Sequence, residues 1–278
     1  MMTHKRFLFF ARLCAAVFFL VPAAFVRADA EGDLALLAEA YPGAFEVVAG
    51  KGIRFPGGEF IPYDDNEDKD YAALFDRPDL EDMLRLVYPL ERQEGPPPAD
   101  FDPGRFRPAA FFRALYGKDE KEVRPALRPV RWMPSLGGPA LLVTTRFGVD
   151  RKLEKIVAEL EALCKISGNS ALRAFLVPPG GSFNYRNIAG SSRLSAHSFG
   201  IAVDIAVAKS HYWRWEKKGA EEYKNSIPPE IVEIFERHGF IWGGKWYRFD
   251  TMHFEYRPEL ILKAQRSRDL KVRRPRGQ

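Results

Sequence analysis

The sequence predicts an α+β protein, a central antiparallel sheet with flanking helices, preceded by a small mixed α/β extension. Three observations carry this. Beyond Gly200, Ile201, Val203, Ile205 and Val207 take one parity and Ala202, Asp204 and Ala206 the other, the period-two signature of a strand buried on one face. Leu153, Ile156, Val157, Leu160 and Leu163 recur at helical spacing, as do Ile231, Val232, Ile234 and Phe235. Strand and helix patterns are interspersed without βαβ regularity, which points to antiparallel pairing.

Residues 1–30 come first. Lys5, Arg6 and Arg12 lead into an apolar run, Leu13–Phe25, too short to span a bilayer comfortably. Ala28-Asp29-Ala30 supplies small residues for cleavage, with Ala28 an equally good last residue, so a secretory signal peptide is expected. Its removal leaves Cys164 as the remaining cysteine, and no intramolecular disulfide is possible. Residues 31–127 form the extension. Leu34, Leu36, Leu37 and Ala40 predict a short helix ending near Tyr41-Pro42-Gly43, and Phe45–Phe55 a hairpin that turns at Gly50-Lys51-Gly52. The acidic run Asp64–Asp70 fails as a calcium loop, because Lys69 stands where glycine is needed and Phe75 where glutamate is needed; a solvated turn is expected. Asp79–Tyr88 and Ala109–Tyr116 have helical spacing, and the Pro-rich stretch Glu94–Pro108 between them reads as a connector. The extension is expected to frame a groove.

Residues 128–262 hold the main domain. The predicted elements are a strand at Leu141–Thr145, a helix capped by Asp150, and a strand at Phe175–Val177 entering the Pro178-Pro179-Gly180-Gly181 loop. A helix over Pro228–His238 ends at Gly239, strands flank the Gly243-Gly244 turn, and Trp246–Tyr256 is a second β-prone run. The tail, 263–278, is a basic charge run expected to be disordered and solvated, with contact to anionic envelope surfaces as the weaker alternative. Residues 1–30 carry a net +3 and the tail +6, so the total of +5 leaves 31–262 at −4. A nucleic-acid face is excluded on that ground, and a monomer is expected.

The chemistry gathers at Ser195–Asp204 and Asp250–His253. Asp204 sits between two alanines, which leaves space in front of its carboxylate. His197 precedes the strand in a turn containing Gly200, from which its ring could reach Asp204. Two His and one Asp, His197, Asp204 and His253, suit zinc with a fourth position open to water, the pattern of a catalytic site. Asp250 lies three residues before His253. In a regular strand the pair would face opposite ways, so a turn near Thr251-Met252 is required if both face one ion. Glu255 shares the parity of His253 and is a candidate acceptor for its second ring nitrogen. His238 reads as a helix C-terminal residue and His211 as a loop residue. No Ser-x-x-Lys and no His-Glu-x-x-His occurs, which sets aside those serine and zinc peptidase routes.

Ser-x-His-x-x-Gly-x-Ala-x-Asp followed by acid-x-x-His resembles the zinc D-alanyl-D-alanine peptidases of the VanY/VanX type and their relatives, the L-alanyl-D-glutamate endopeptidases, whose fold the Hedgehog signalling domain shares. The resemblance spans about Leu141 to Leu260. It implies one zinc on His197, Asp204 and His253, Asp250 as catalytic acid/base, and an upstream arginine for the oxyanion, Arg186 first and Arg193 second. It further implies a peptidoglycan stem peptide as substrate, most directly for a D-alanyl-D-alanine carboxypeptidase, with an endopeptidase or a silent zinc-containing binding module as alternatives. Ser195, Tyr185 and Trp242 are candidate substrate contacts, and a periplasmic or cell-wall location follows from the signal peptide.

Overall fold

The computed structural model of the chain describes residues 29–166, 169–216 and 222–273. The charged and apolar leader up to residue 28 lies outside them. Helix α1 (Ala30–Ala40) is capped by Asp29, whose carboxylate accepts the Gly32 N–H at 3.2 Å. The predicted hairpin follows as β1 (Glu46–Val48) and β2 (Gly52–Arg54), joined by β3 (Phe60–Pro62) into a three-stranded antiparallel sheet. Helices α2 (Tyr71–Asp76), α3 (Leu80–Leu84), α4 (Ala109–Tyr116) and α5 (Glu120–Val123) complete the extension. The Asp64–Asp70 run is not merely solvated. Its Lys69 is buried and bonds Asp65, Asp79 and Asp82 at 2.6, 3.0 and 2.7 Å, since a buried ammonium must find anionic partners.

The main domain pairs β4 (Leu127–Arg131) with β5 (Ala140–Thr144), then runs through α6 (Val149–Lys165) and the single turn α7 (Arg173–Leu176). Asp150 lies in the first turn of α6 behind Gly148 as cap, and accepts from Arg128 Nε at 2.8 Å. Phe175–Val177 was expected as a strand; it is the end of α7, with Phe175 lending its carbonyl to the Ala206 N–H at 2.9 Å. The remaining elements are β6 (Ala202–Asp204), α8 (Pro229–Arg237), β7 (Phe240–Trp242), β8 (His253–Tyr256) and α9 (Pro258–Arg273). The central sheet is antiparallel in the order β6-β8-β7. It is shorter than the alternation suggested. Residues 246–252 leave the ladder because their backbone is bonded elsewhere: the Tyr247 N–H donates to Phe101 O at 2.8 Å and the Arg248 N–H to Asp102 Oδ1 at 3.0 Å, both in the connector, while the Thr251 N–H donates to His211 O at 2.9 Å.

The tail corrects the sequence expectation. It continues the helix that begins at Pro258 as far as Arg273, with Ala264 buried behind Leu260 and Ile261, while most of residues 265–272 are exposed as expected. Lys263 pairs with Asp33 of α1 at 2.8 Å. Residues 274–278 lie outside the described ones.

One continuous apolar core joins extension and main domain. Tyr41, Phe111, Phe112 and Tyr116 meet Phe147 and Phe199 ring to ring. Beneath them Arg257 is fully buried and donates to Gly104 O at 2.5 Å and Glu255 Oε1 at 3.0 Å, as well as to Glu259. Two carboxylates and a carbonyl offset the burial of this guanidinium through Nε and Nη1, so the connector and β8 are locked together. That lock fixes the connector beside the site.

Candidate metal centre

The turn that carries His197 is built by its own neighbours. Ser195 caps a 3-10 turn over Ala196–Phe199, its Oγ accepting the His197 N–H at 3.3 Å. Gly200 closes the turn at φ +69°, and a Cβ there would lie 2.6 Å from Leu127 Cδ2. The left-handed backbone and the lack of space both require glycine. The chain then enters β6, where Asp204 stands directly opposite His253 of β8, so the two side chains are cross-strand neighbours on one face. On its other edge Asp204 meets the Gly180-Gly181 loop: the Gly180 N–H donates to Asp204 O at 2.8 Å, and a Cβ on Gly180 would come within 2.9 Å of Asp204 Cβ.

Three donor atoms converge. His197 Nε2, His253 Nδ1 and Asp204 Oδ1 are separated by 3.2, 3.2 and 2.9 Å. Ligand atoms held about 2.0–2.1 Å from a tetrahedral zinc stand about 3.3 Å apart, so the set fits that ion. The tautomers agree. His197 Nδ1 donates to Ser182 O at 2.5 Å and His253 Nε2 to Glu255 Oε2 at 3.1 Å. Each ring's second nitrogen therefore turns toward the common point, the arrangement that outer hydrogen bonds impose on metal-binding imidazoles. Glu255 is fully buried and is itself held by Arg107 Nε at 3.0 Å and by Arg257; these cations and His253 keep its carboxyl well below the usual range despite burial. Burial opposes ionisation of Asp204 too, but His197 and His253 outweigh it and hold it low. In the metal-free protein His253 is pushed up to about 10, because Asp204 and Glu255 overcome the burial that would lower it.

Asp250 differs. The required turn is present, with the His253 N–H donating to Asp250 O at 3.2 Å. Asp250 lines the same cleft, of about 290 Å³, as the three ligands. Its Oδ1 is buried with no hydrogen-bond partner among the described residues, and burial pushes its pKa up to about 6. An acid with a buried, unpaired oxygen and a raised pKa is the kind of group that proton transfer near neutrality calls for.

The other expected residues divide. Arg186 and Ser195 line the cleft. Arg186 is exposed, and its backbone is pinned by Ser195 N–H at 3.1 Å and by the Ser198 hydroxyl. Arg193 faces away, stacked 5.0 Å from the Phe75 ring and lining a separate small cavity. Trp242 must be corrected: it is buried beneath the sheet with Nε1 donating to Thr251 O at 2.9 Å, and borders a different cavity. As the last residue of a fully buried strand it faces the core. Tyr185 is half-buried and outside the residues that line the cleft. His238 bonds Glu159 at 2.6 Å, and His211 anchors a loop through its backbone, the N–H donating to Thr251 Oγ1 at 2.7 Å. Tyr212, Trp215 and Trp246, from the aromatic cluster around the motifs, are cleft walls, and sequence reading missed Arg105 and Arg107 as further ones. For Trp246 the aromatic run was a signal; for the two arginines, some ninety residues upstream of His197, nothing local was.

A family model described as D-alanyl-D-alanine carboxypeptidase matches residues 189–256. Over 68 residues the chain is 41% identical to peptidoglycan L-alanyl-D-glutamate endopeptidase CwlK of Bacillus subtilis, a match covering 23% of this chain and 40% of that protein. The family model takes in the segment that carries His197, Asp204, Asp250 and His253, and both findings agree with the resemblance read from the motifs: over this part the chain is similar to that peptidase family.

Proposed function

We propose that the chain is a zinc-dependent peptidase of peptidoglycan stem peptides, in the first reading a D-alanyl-D-alanine carboxypeptidase. The observation that carries it is the convergence of three lone-pair donors, the two imidazoles fixed from behind, next to Asp250, whose buried Oδ1 has no hydrogen-bond partner among the described residues. A silent binding module has no use for that carboxylate.

His197, Asp204 and His253 would hold the ion. When bound, zinc supplies a Lewis acid for the scissile carbonyl and lowers the pKa of water. Asp250 takes a proton from the attacking water at its unpartnered Oδ1 and returns it to the leaving amine. Arg186 offers guanidinium N–H groups to the oxyanion that develops on the carbonyl. Ser195 holds the His197 turn and presents its hydroxyl to the cleft wall. The endopeptidase reading is favoured by the name of the Bacillus relative.

Export completes the proposal. The leader up to Ala28 would act as a signal peptide and deliver the enzyme to the periplasm or cell wall. Cleavage after Ala28 keeps Asp29 as the cap of α1, whereas cleavage after Ala30 would remove it. The test is digestion of peptidoglycan and of a synthetic pentapeptide, with products identified by mass, before and after chelation and zinc replacement. Free D-alanine identifies the carboxypeptidase and internal fragments the endopeptidase. Zinc bound with no cleavage of either substrate overturns the reading.

A further inference from the structure

The Pro-rich connector ends in Arg105 and Arg107, and both line the metal cleft. Arg107 is committed to Glu255 by two of its nitrogens. Arg105 is not so committed: among the described residues no carboxylate lies within ion-pair distance of it. Asp102 and Asp250 act on it only from farther off, and Asp102 is already occupied by the Tyr71 hydroxyl and by the Arg248 N–H and guanidinium. What Arg105 does have is fixation. Nη1 donates to Arg248 O at 2.8 Å, and the guanidinium stands 5.4 Å from the Phe75 ring and 5.2 Å from the Trp246 ring. A guanidinium has five N–H donors in a rigid fork, so most of its hydrogen-bonding capacity is left for a partner from the cleft. Half-buried and immobilised, it is set in advance for a planar anion.

The distance to the metal ligands is peptide-sized. The same Trp246 ring lies 5.7 Å from the His253 ring, so one indole separates Arg105 from a ligand. The two steps together are the reach of two or three residues at about 3.5 Å each.

We infer that Arg105 is a specificity residue that holds a carboxylate of the substrate. This rests on the peptidase reading of the cleft. The carboxylate is either the free C-terminus of the leaving residue or the side-chain acid of a neighbouring residue; the recognising chemistry is the same. Arg105 lies outside residues 189–256, so the family segment supplies the hydrolytic centre and the extension supplies substrate choice.

The test uses three peptides of one sequence, with a free C-terminus, with an amidated C-terminus, and with the side-chain acid replaced by its amide. Zinc-loaded wild type, Arg105→Gln and Arg105→Lys are compared. The expected result is a KM raised about 10- to 100-fold by Arg105→Gln on peptides that keep the held carboxylate, with kcat nearly unchanged. The peptide lacking that group is barely affected, which identifies its source, and Arg105→Lys recovers part of the loss. Wild type that treats all three peptides alike, or a variant that loses the same factor on each, overturns the inference. Cleavage of none of them would instead count against the peptidase reading. Arg105 is then decided by calorimetric titration of the metal-free protein with the same three peptides. Preference for the acid, lost in Arg105→Gln, supports the carboxylate site, and equal or no binding overturns it.

Discussion

Acids around Asp79 and the His197–Asp204–His253 group both have the donor spacing that a cation needs, and the molecule answers the two in opposite ways. Around Asp79 the cation is built in. Lys69 reaches Asp65, Asp79 and Asp82, and its own pKa rises because those bonds outweigh burial. At His197 no ammonium or guanidinium among the described residues closes on the donors, and the outer nitrogens of both imidazoles are tied back to Ser182 and Glu255. A structural ion cluster is thus distinguished from a candidate metal site by what fills its centre.

Asp204→Ala should leave the protein without stoichiometric zinc, with cleavage less than about one-thousandth of wild type, checked by metal analysis beside the peptide assay. Asp250→Asn should keep the metal and lower kcat by about 10²- to 10⁴-fold; zinc lost together with activity would show that Asp250 is instead part of the donor set. Lys69→Met should destabilise the fold by about 3–5 kcal/mol, the cost of stranding buried carboxylates, read from denaturant unfolding, with zinc stoichiometry unchanged.

Two smaller effects sharpen the contrast. Glu255→Gln should weaken zinc about 10- to 100-fold in chelator competition, since it disturbs the group that orients His253. In the metal-free protein His253 is raised to about 10, so near pH 8 its ring is protonated and zinc must displace that proton. Apparent affinity therefore rises with pH toward that value, and about one proton is released per ion. Calorimetry in two buffers of different ionisation heat measures it; no release would mean that His253 is neutral before the metal arrives.

Much of the centre was legible because it is local. The alternation after Gly200 set the face of Asp204, and the spacing from Asp250 to His253 demanded the turn that is found. Glu255 was visible by parity alone, though only the fold shows it buried under Arg107 and Arg257. Trp242 was misplaced because nearness to a motif in sequence does not say which side of a strand faces solvent. The tail was misread because its charge masked the spacing of Leu260, Ile261 and Ala264, which continues a buried helical stripe.

By itself the sequence determined the identity of the donors, the strand that carries Asp204 and the antiparallel character of the sheet, because each follows from neighbours within a few residues. Only the tertiary structure decided that His197 and His253, 56 residues apart, turn their free nitrogens to one point, and that the connector's arginines form a wall of the cleft. Those outcomes depend on side chains distant in the chain packing through one shared core, with Arg257 bonded at once to Gly104 and Glu255. Periodicity along a chain carries no record of such contacts.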